Sequence, residues 1–202
     1  GGGAIVLVSL YLAHGYTPLT HVAAVGAFAA LALTTALSWV VVEFAHFTGL
    51  ASEEACYLLN LPDIDLNGLL LAGIVLGALG ALDDVTVTQA SAVWEVAGAN
   101  QDLEQRALVD SGLRIGRDHI ASTVNTLLPA YAGAAMPLLI LYSLLGLSLA
   151  TVGSSEVIAV EIIRTLVGSI GLVAAVPITT WLAATQMQRR NLNRQSEQAS
   201  PP

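Results

Sequence analysis

Long runs of apolar residues, nearly free of charge, limit what this chain can become. Residues 22–44 and 157–185 are such runs, 119–149 is another broken by two prolines, and 69–98 begins as one. A helix needs about 20 mainly apolar residues to cross the hydrocarbon core of a bilayer. Hydrophobic residues make up 55% of the chain and charged residues 11%, where an ordinary soluble domain is about 25% charged. With so little charge the chain cannot clothe a globule in polar surface, so lipid is the solvent the sequence implies. In hydrocarbon only helices and closed barrels satisfy the backbone, and runs of this length select helices. The expected fold is all-α, a polytopic transmembrane helix bundle.

Taken in order, residues 4–12 are apolar but too short to cross, and read as a partial N-terminal span. Residues 14–20, with Gly15 and Pro18, read as a turn. The span 22–44 carries Ala23, Ala27, Ala30, Thr34 and Ser38 along one side, a spacing that lets helix backbones approach closely in lipid. Residues 45–67 form a polar connection with Glu53, Glu54, Asp63 and Asp65 and no Lys or Arg; Ser52-Glu53-Glu54 reads as the cap and first turn of a short helix. Residues 99–117 read as a charged loop, in which Asp102 and Gln105 form a capping box for a short helix that stops at Ser111-Gly112. The spans 119–149 and 157–185 contain Pro129, Pro137 and Pro177, which membrane helices tolerate. The count is four full spans plus the partial one, with residues 1–185 as the bundle and 186–202 as a disordered polar tail. An opening of Gly1-Gly2-Gly3 without Met reads as a segment of something longer.

Arginine gives the expected orientation. All seven basic residues are Arg; three lie in 99–117 and three in the tail, segments separated by two spans. The positive-inside rule makes that side cytoplasmic, C-terminus included, and turns 45–67 and 148–156 outward. The bilayer is then the first partner, with a second copy or another membrane subunit as possible company. A formal net charge of −8 leaves no basic footprint for nucleic acid.

Helical spacing of about 100° per residue sorts the polar groups onto faces. In 69–98, Gly73, Gly77, Gly80, Asp84, Thr88, Ser91, Glu95 and Gly98 share one narrow arc. Asp83 falls outside it, over Leu76, Leu79, Val87, Ala90 and Trp94. Asp118, Ser122, Asn125, Pro129, Ala132 and Met136 share a side of the next span, as do Glu161, Arg164, Gly168, Gly171, Ala175 and Thr179 of the last. An unpaired charge at mid-bilayer costs about 3 kcal/mol or more. The three faces are therefore expected to turn inward, packing through Gly73, Gly77, Gly80, Gly168 and Gly171 and collecting Asp84, Asn125, Glu161 and Arg164.

Asp84 is the leading functional candidate. Counted from Leu69 it lies about 22 Å along the span, where a carboxylate could carry a proton or hold a cation. Alternatively the acid pair marks the cytoplasmic interface, since residues 66–82 number 17, about the lower limit for a span. Thr88, Ser91 and Asn125 would line such a path, or Asn125 would be interhelical glue. Glu161 and Arg164, three apart, can pair as an outer gate or anchor the helix at the outer interface. Arg164 starts about 10 Å below the outer surface and would reach Asp84 only through a kink or by snorkelling.

Chemistry of other kinds finds little support. His14, His21, His46 and His119 lack metal-ligand spacing, and Cys56 stands alone. Neighbouring acids on one helix point about 100° apart, unlike the shared site of an aspartyl protease. No phosphate loop or nucleophile elbow is present. The expectation is no catalytic residue, no metal and no cofactor, with the substrate left open.

Four segments carry a family resemblance: GALGALDDVTVTQASAV (77–93), SGLRIGRDHI (111–120), NTLLPAYAG (125–133) and GSIGLVAAVPITT (168–180). Together they resemble the YibE/F-like family of bacterial multi-pass membrane proteins, over most of the chain from about Leu50 onward. The resemblance implies a bacterial cytoplasmic-membrane location, and upstream membrane helices and an external N-terminal domain that this sequence does not contain. It carries no catalytic residues across. The functional expectation is a transport or permease component with an ion- or proton-responsive Asp84. The rival is a non-catalytic structural or assembly protein that packs through glycine-rich faces.

Overall fold

A computed structural model describes the backbone of residues 2–51, 53–58, 61, 64–100 and 103–199. Its elements are α1 (Gly2–His14), α2 (Pro18–Ala45), α3 (Glu53–Leu58), α4 (Leu66–Ala99), α5 (Gln105–Leu144), α6 (Leu149–Gly153) and α7 (Glu156–Ala199). No strand occurs among the described residues. Helices α2, α4, α5 and α7 are long and apolar enough to cross a membrane, so the chain is an integral membrane protein with four candidate spans and a short α1.

Local chemistry accounts for several helix ends. Gly15, at φ 68°, makes the turn after α1. Thr17 then caps α2, its Oγ1 accepting from the Thr20 N–H at 3.1 Å, and Pro18 stands at the first helical position, where no donor is needed. Ser148 caps α6 by accepting from the Thr151 N–H at 3.2 Å. The caps expected of Ser52 and Asp102 lie outside the described residues.

Two expectations are corrected here. Residues 105–117 are not a loop with a short helix ending at Ser111-Gly112; they are the first turns of the 40-residue α5. Gly112 does not stop the helix because it serves as a packing surface, buried with Gly116 and Leu108 on the inner side. The tail expected to be disordered instead continues α7 to Ala199. Its Gln, Arg, Asn and Leu residues are compatible with helix, and no proline follows Pro177 until Pro201.

The residues pack into two compact units. The first comprises 1–31, 79–121 and 172–202. Its core includes Val6 and Leu10 of α1, Val22, Ala23, Ala27 and Ala30 of α2, Leu82, Val85 and Val93 of α4, and Leu172 and Val176 of α7. Glycines bring the helices together. A Cβ on Gly112 would lie 2.8 Å from Thr180 Cγ2 and 2.9 Å from Val93 Cγ2. One on Gly116 would run into Val176 and Gln89, and one on Gly26 of α2 into Thr179 of α7.

The second unit comprises 32–78 and 122–171. Val42, Ile74 and Val167 form its buried apolar cluster, flanked by Leu37, Val41, Phe47, Leu70 and Ile163. Thr34 and Ser38 are buried, and the Ser38 hydroxyl donates to the Thr34 carbonyl at 2.7 Å. At the start of α7, the Glu156 carboxylate accepts from the Thr48 and Gly49 N–H groups, both at 3.0 Å, and from the Thr48 hydroxyl at 2.7 Å. Across the two units, every member of the expected α2 stripe, Ala23 to Ser38, is buried.

Gly116 and Gly133 on α5 make a matched test, since a Cβ on Gly133 would meet nothing within 4 Å. Gly116→Leu should destabilise the detergent-solubilised protein by about 1–3 kcal/mol through overpacking. Gly133→Leu should stay within about 0.5 kcal/mol. Thermal or SDS unfolding of both variants checks this.

Candidate functional site

Helix α4 presents the first unit with Leu82, Val85, Thr86, Gln89, Val93 and Ala97, all buried. At about 100° per residue that face is centred about 180° from the expected small-and-polar arc. Gly80, Asp84, Thr88, Glu95 and Gly98 are exposed and Ser91 is half-buried. A Cβ on Gly80 or Gly98 would find no neighbour within 4 Å. This part of the arc therefore lies on the open side of α4 in the first unit. The bulkier Leu, Val and Gln side bury more surface against α5 and α7, and that burial fixes the rotation of α4.

Asp83, rather than Asp84, is the acid turned toward a neighbour. Its Oδ2 accepts from the Ser9 hydroxyl of α1 at 3.0 Å, while its Oδ1 is buried without a hydrogen-bond partner among the described residues. The nearby hydroxyls bond to their own helix: Thr86 donates to the Asp83 carbonyl at 3.0 Å and Thr88 to the Asp84 carbonyl at 2.8 Å.

The central polar group of this unit is Gln89, a residue that sequence reasoning passed over. It is 1% exposed. Its Nε2 donates to the Gly112 carbonyl at 2.8 Å and to the Thr180 hydroxyl at 2.7 Å; Thr180 in turn donates to the Val176 carbonyl at 2.7 Å. One amide thereby ties α4, α5 and α7. Gly112 and Gly116, four apart, are the signal that could have found it: small residues at that spacing mark a close crossing, and Gln89 fills the space they leave.

In the second unit Glu161 and Arg164 pair as the spacing predicts, with Nη1 donating to Oε1 at 2.7 Å and side chains about a quarter exposed. The Arg164 stem lies along α4. A Cβ on Gly77 would stand 3.4 Å from its Cδ, and one on Gly73 would stand 3.9 Å from its Nη2. The Tyr131 hydroxyl donates to the Gly77 carbonyl at 3.4 Å. Gly73 and Gly77 are exposed, so they form a shallow trough for an arginine rather than a helix–helix seam.

Farther along α7, Gly168, Gly171, Ala175 and Thr179 are buried, and a Cβ on Gly168 would rest 3.7 Å from the Ala78 Cβ. The α5 face differs from expectation. Asp118, Ser122, Asn125, Pro129, Ala132 and Met136 are all exposed, because α5 is held through its Leu108–Gly112–Gly116 seam. Asp84 belongs to the first unit and Asn125, Glu161 and Arg164 to the second. Within their own units Asp84 and Asn125 are exposed, and Glu161 and Arg164 pair with each other.

The pattern of the YibE/F-like protein family matches residues 1–189, which includes α1, α2 and nearly all of the helical chain. The chain belongs to that family, and the likeness extends N-terminal of the segments that first suggested it. No curated protein and no solved structure matches it.

Replacing the buried amide tests its bridging role. Gln89→Leu should cost about 1 kcal/mol, the usual size of an interhelical hydrogen bond in a membrane, and Thr180→Val a similar amount. Because both remove the same bond, the double variant should lose less than the sum of the two. Unfolding in detergent of the three variants provides the measurement.

Proposed function

We propose that this YibE/F-like chain is a transport or permease component of the bacterial cytoplasmic membrane. Its path for an ion or polar solute would run along the open arc of α4. The observation that carries the reading is the exposure of Gly80, Asp84, Thr88 and Glu95 on one side of a membrane-spanning helix. Acids facing hydrocarbon cost about 3 kcal/mol or more each at mid-bilayer, so such a side is stable only against water or further protein. Asp84 is then the ion- or proton-responsive group, with Thr88 and Ser91 beside it and Asn125 as a lining residue of α5. The Glu161–Arg164 pair, partly open to its surroundings, is of a kind that can break and re-form as a gate. The arginine distribution supports a cytoplasmic C-terminus, and we assign the chain no catalytic reaction.

A second reading has its own support. A Cβ on Gly80 or Gly98 would meet nothing within 4 Å, which suits close approach by a helix of another copy or subunit. On that reading the chain is an assembly protein and Asp84 sits at an interface.

Reconstituted vesicles test the first reading. Asp84→Asn should abolish the pH dependence of ion flux, and unchanged flux would remove Asp84 from the mechanism. Single cysteines placed from Gly80 to Glu95 separate the two readings. Labelling that repeats with the helix period indicates an aqueous wall; protection up to Leu82 followed by uniform labelling indicates packing at a membrane interface.

A further inference from the structure

The end of α2 and the start of α4 line a half-open cavity of about 530 Å³ within the second unit, a volume suited to a small ligand. Trp39, Glu43, His46 and Phe47 line it from α2 and the residues that follow, and Asp65 and Asn67 from the head of α4. Val42 and Phe47, which also belong to the hydrophobic cluster of this unit, are its apolar lining beside Leu71. The rim is acidic. Glu43 and Asp65 are exposed and form no ion pair with described residues, and residues 43–67 contain no Lys or Arg.

Fixed charge in the backbone adds to this. The C-terminal end of α2 points its partial negative charge at the cavity. The positive end of α4 is covered by the Asp65 carboxylate, folded so closely over Gly68 that a Cβ there would stand 2.6 Å from Oδ2. Among the described residues no three His, Cys, Asp or Glu side chains are grouped as a metal would require. What remains is a negatively charged cup with Trp39 and Phe47 among its lining residues, and aromatic rings attract organic cations.

We propose that this cup binds a small organic ammonium ion, with Glu43 and Asp65 supplying charge and Trp39 the ring face. Binding there does not depend on whether the ion is then carried across the membrane, so the cup can fail or succeed independently of the Asp84 pathway.

The test uses the full chain in maltoside micelles with Trp94 and Trp181 replaced by Phe, leaving Trp39 as the fluorescent reporter. The probe is choline chloride, compared with its uncharged tert-butyl isostere and with sodium chloride at matched ionic strength. Choline should give a saturable change, and the isostere should bind about tenfold more weakly or worse. Glu43→Gln with Asp65→Asn should raise the choline midpoint by about tenfold while the thermal midpoint stays in place. Equilibrium dialysis of radiolabelled choline against the unmodified chain, and against Glu43→Gln alone, gives the same answer should the multiple variants fold poorly. No saturable response, an equal response to the isostere or to sodium, or an unshifted midpoint in the acid variants would each overturn the proposal.

Discussion

Gln89 directs both hydrogens of its side-chain amide at other helices, one at the Gly112 carbonyl of α5 and one at the Thr180 hydroxyl of α7. Where no water competes, an unmet polar group is expensive, so this bond reinforces the rotation that burial of the Leu and Val side of α4 selects. Other features of the first unit are consistent with it. Gly112 and Gly116 have no side chain because the amide and Val176 occupy that space. Residues 105–117 are helical because their inner seam has a partner to lie against. With Gln89 turned in, Asp84 and Thr88 are turned out, which is where the questions about function arise.

The second unit handles its awkward charge in another way. Arg164 is neutralised within its own helix by Glu161, and its aliphatic stem rests on the bare backbone at Gly77. A long basic side chain can pack its stem on apolar surface while its head pairs, although the Arg164 Nε is buried without a hydrogen-bond partner among the described residues. The Tyr131 hydroxyl beside the same glycine shows how a gap of one missing side chain can be shared by two neighbours.

Much of this architecture could be read from residue spacing, and the part that could not has a definite cause. The number of spans followed from the lengths of the apolar runs, and the buried stripe of α2 from Ala23 to Ser38 from the helical period. For α4 and α5 the period grouped the right residues and left open which group faces the interior. In water, polarity answers that question. In lipid, small and polar residues serve interior packing and external interfaces alike, so the arc through Gly80 and Asp84 could have pointed either way. Gln89 escaped attention because one amide near an acid pair carries no periodic signature. Ser111-Gly112 resembled a helix stop because a local capping rule cannot see Thr180, far along the chain, pressed against it.

The grip of Glu156 on Thr48 and Gly49 joins positions 108 residues apart in the chain. A closure over that distance forfeits far more chain entropy than one between neighbours, and its three hydrogen bonds stand largely at exposed positions. The loop after α2 is in this way buckled to the head of α7 within the second unit, and loss of the Glu156 carboxylate would leave that loop without its anchor.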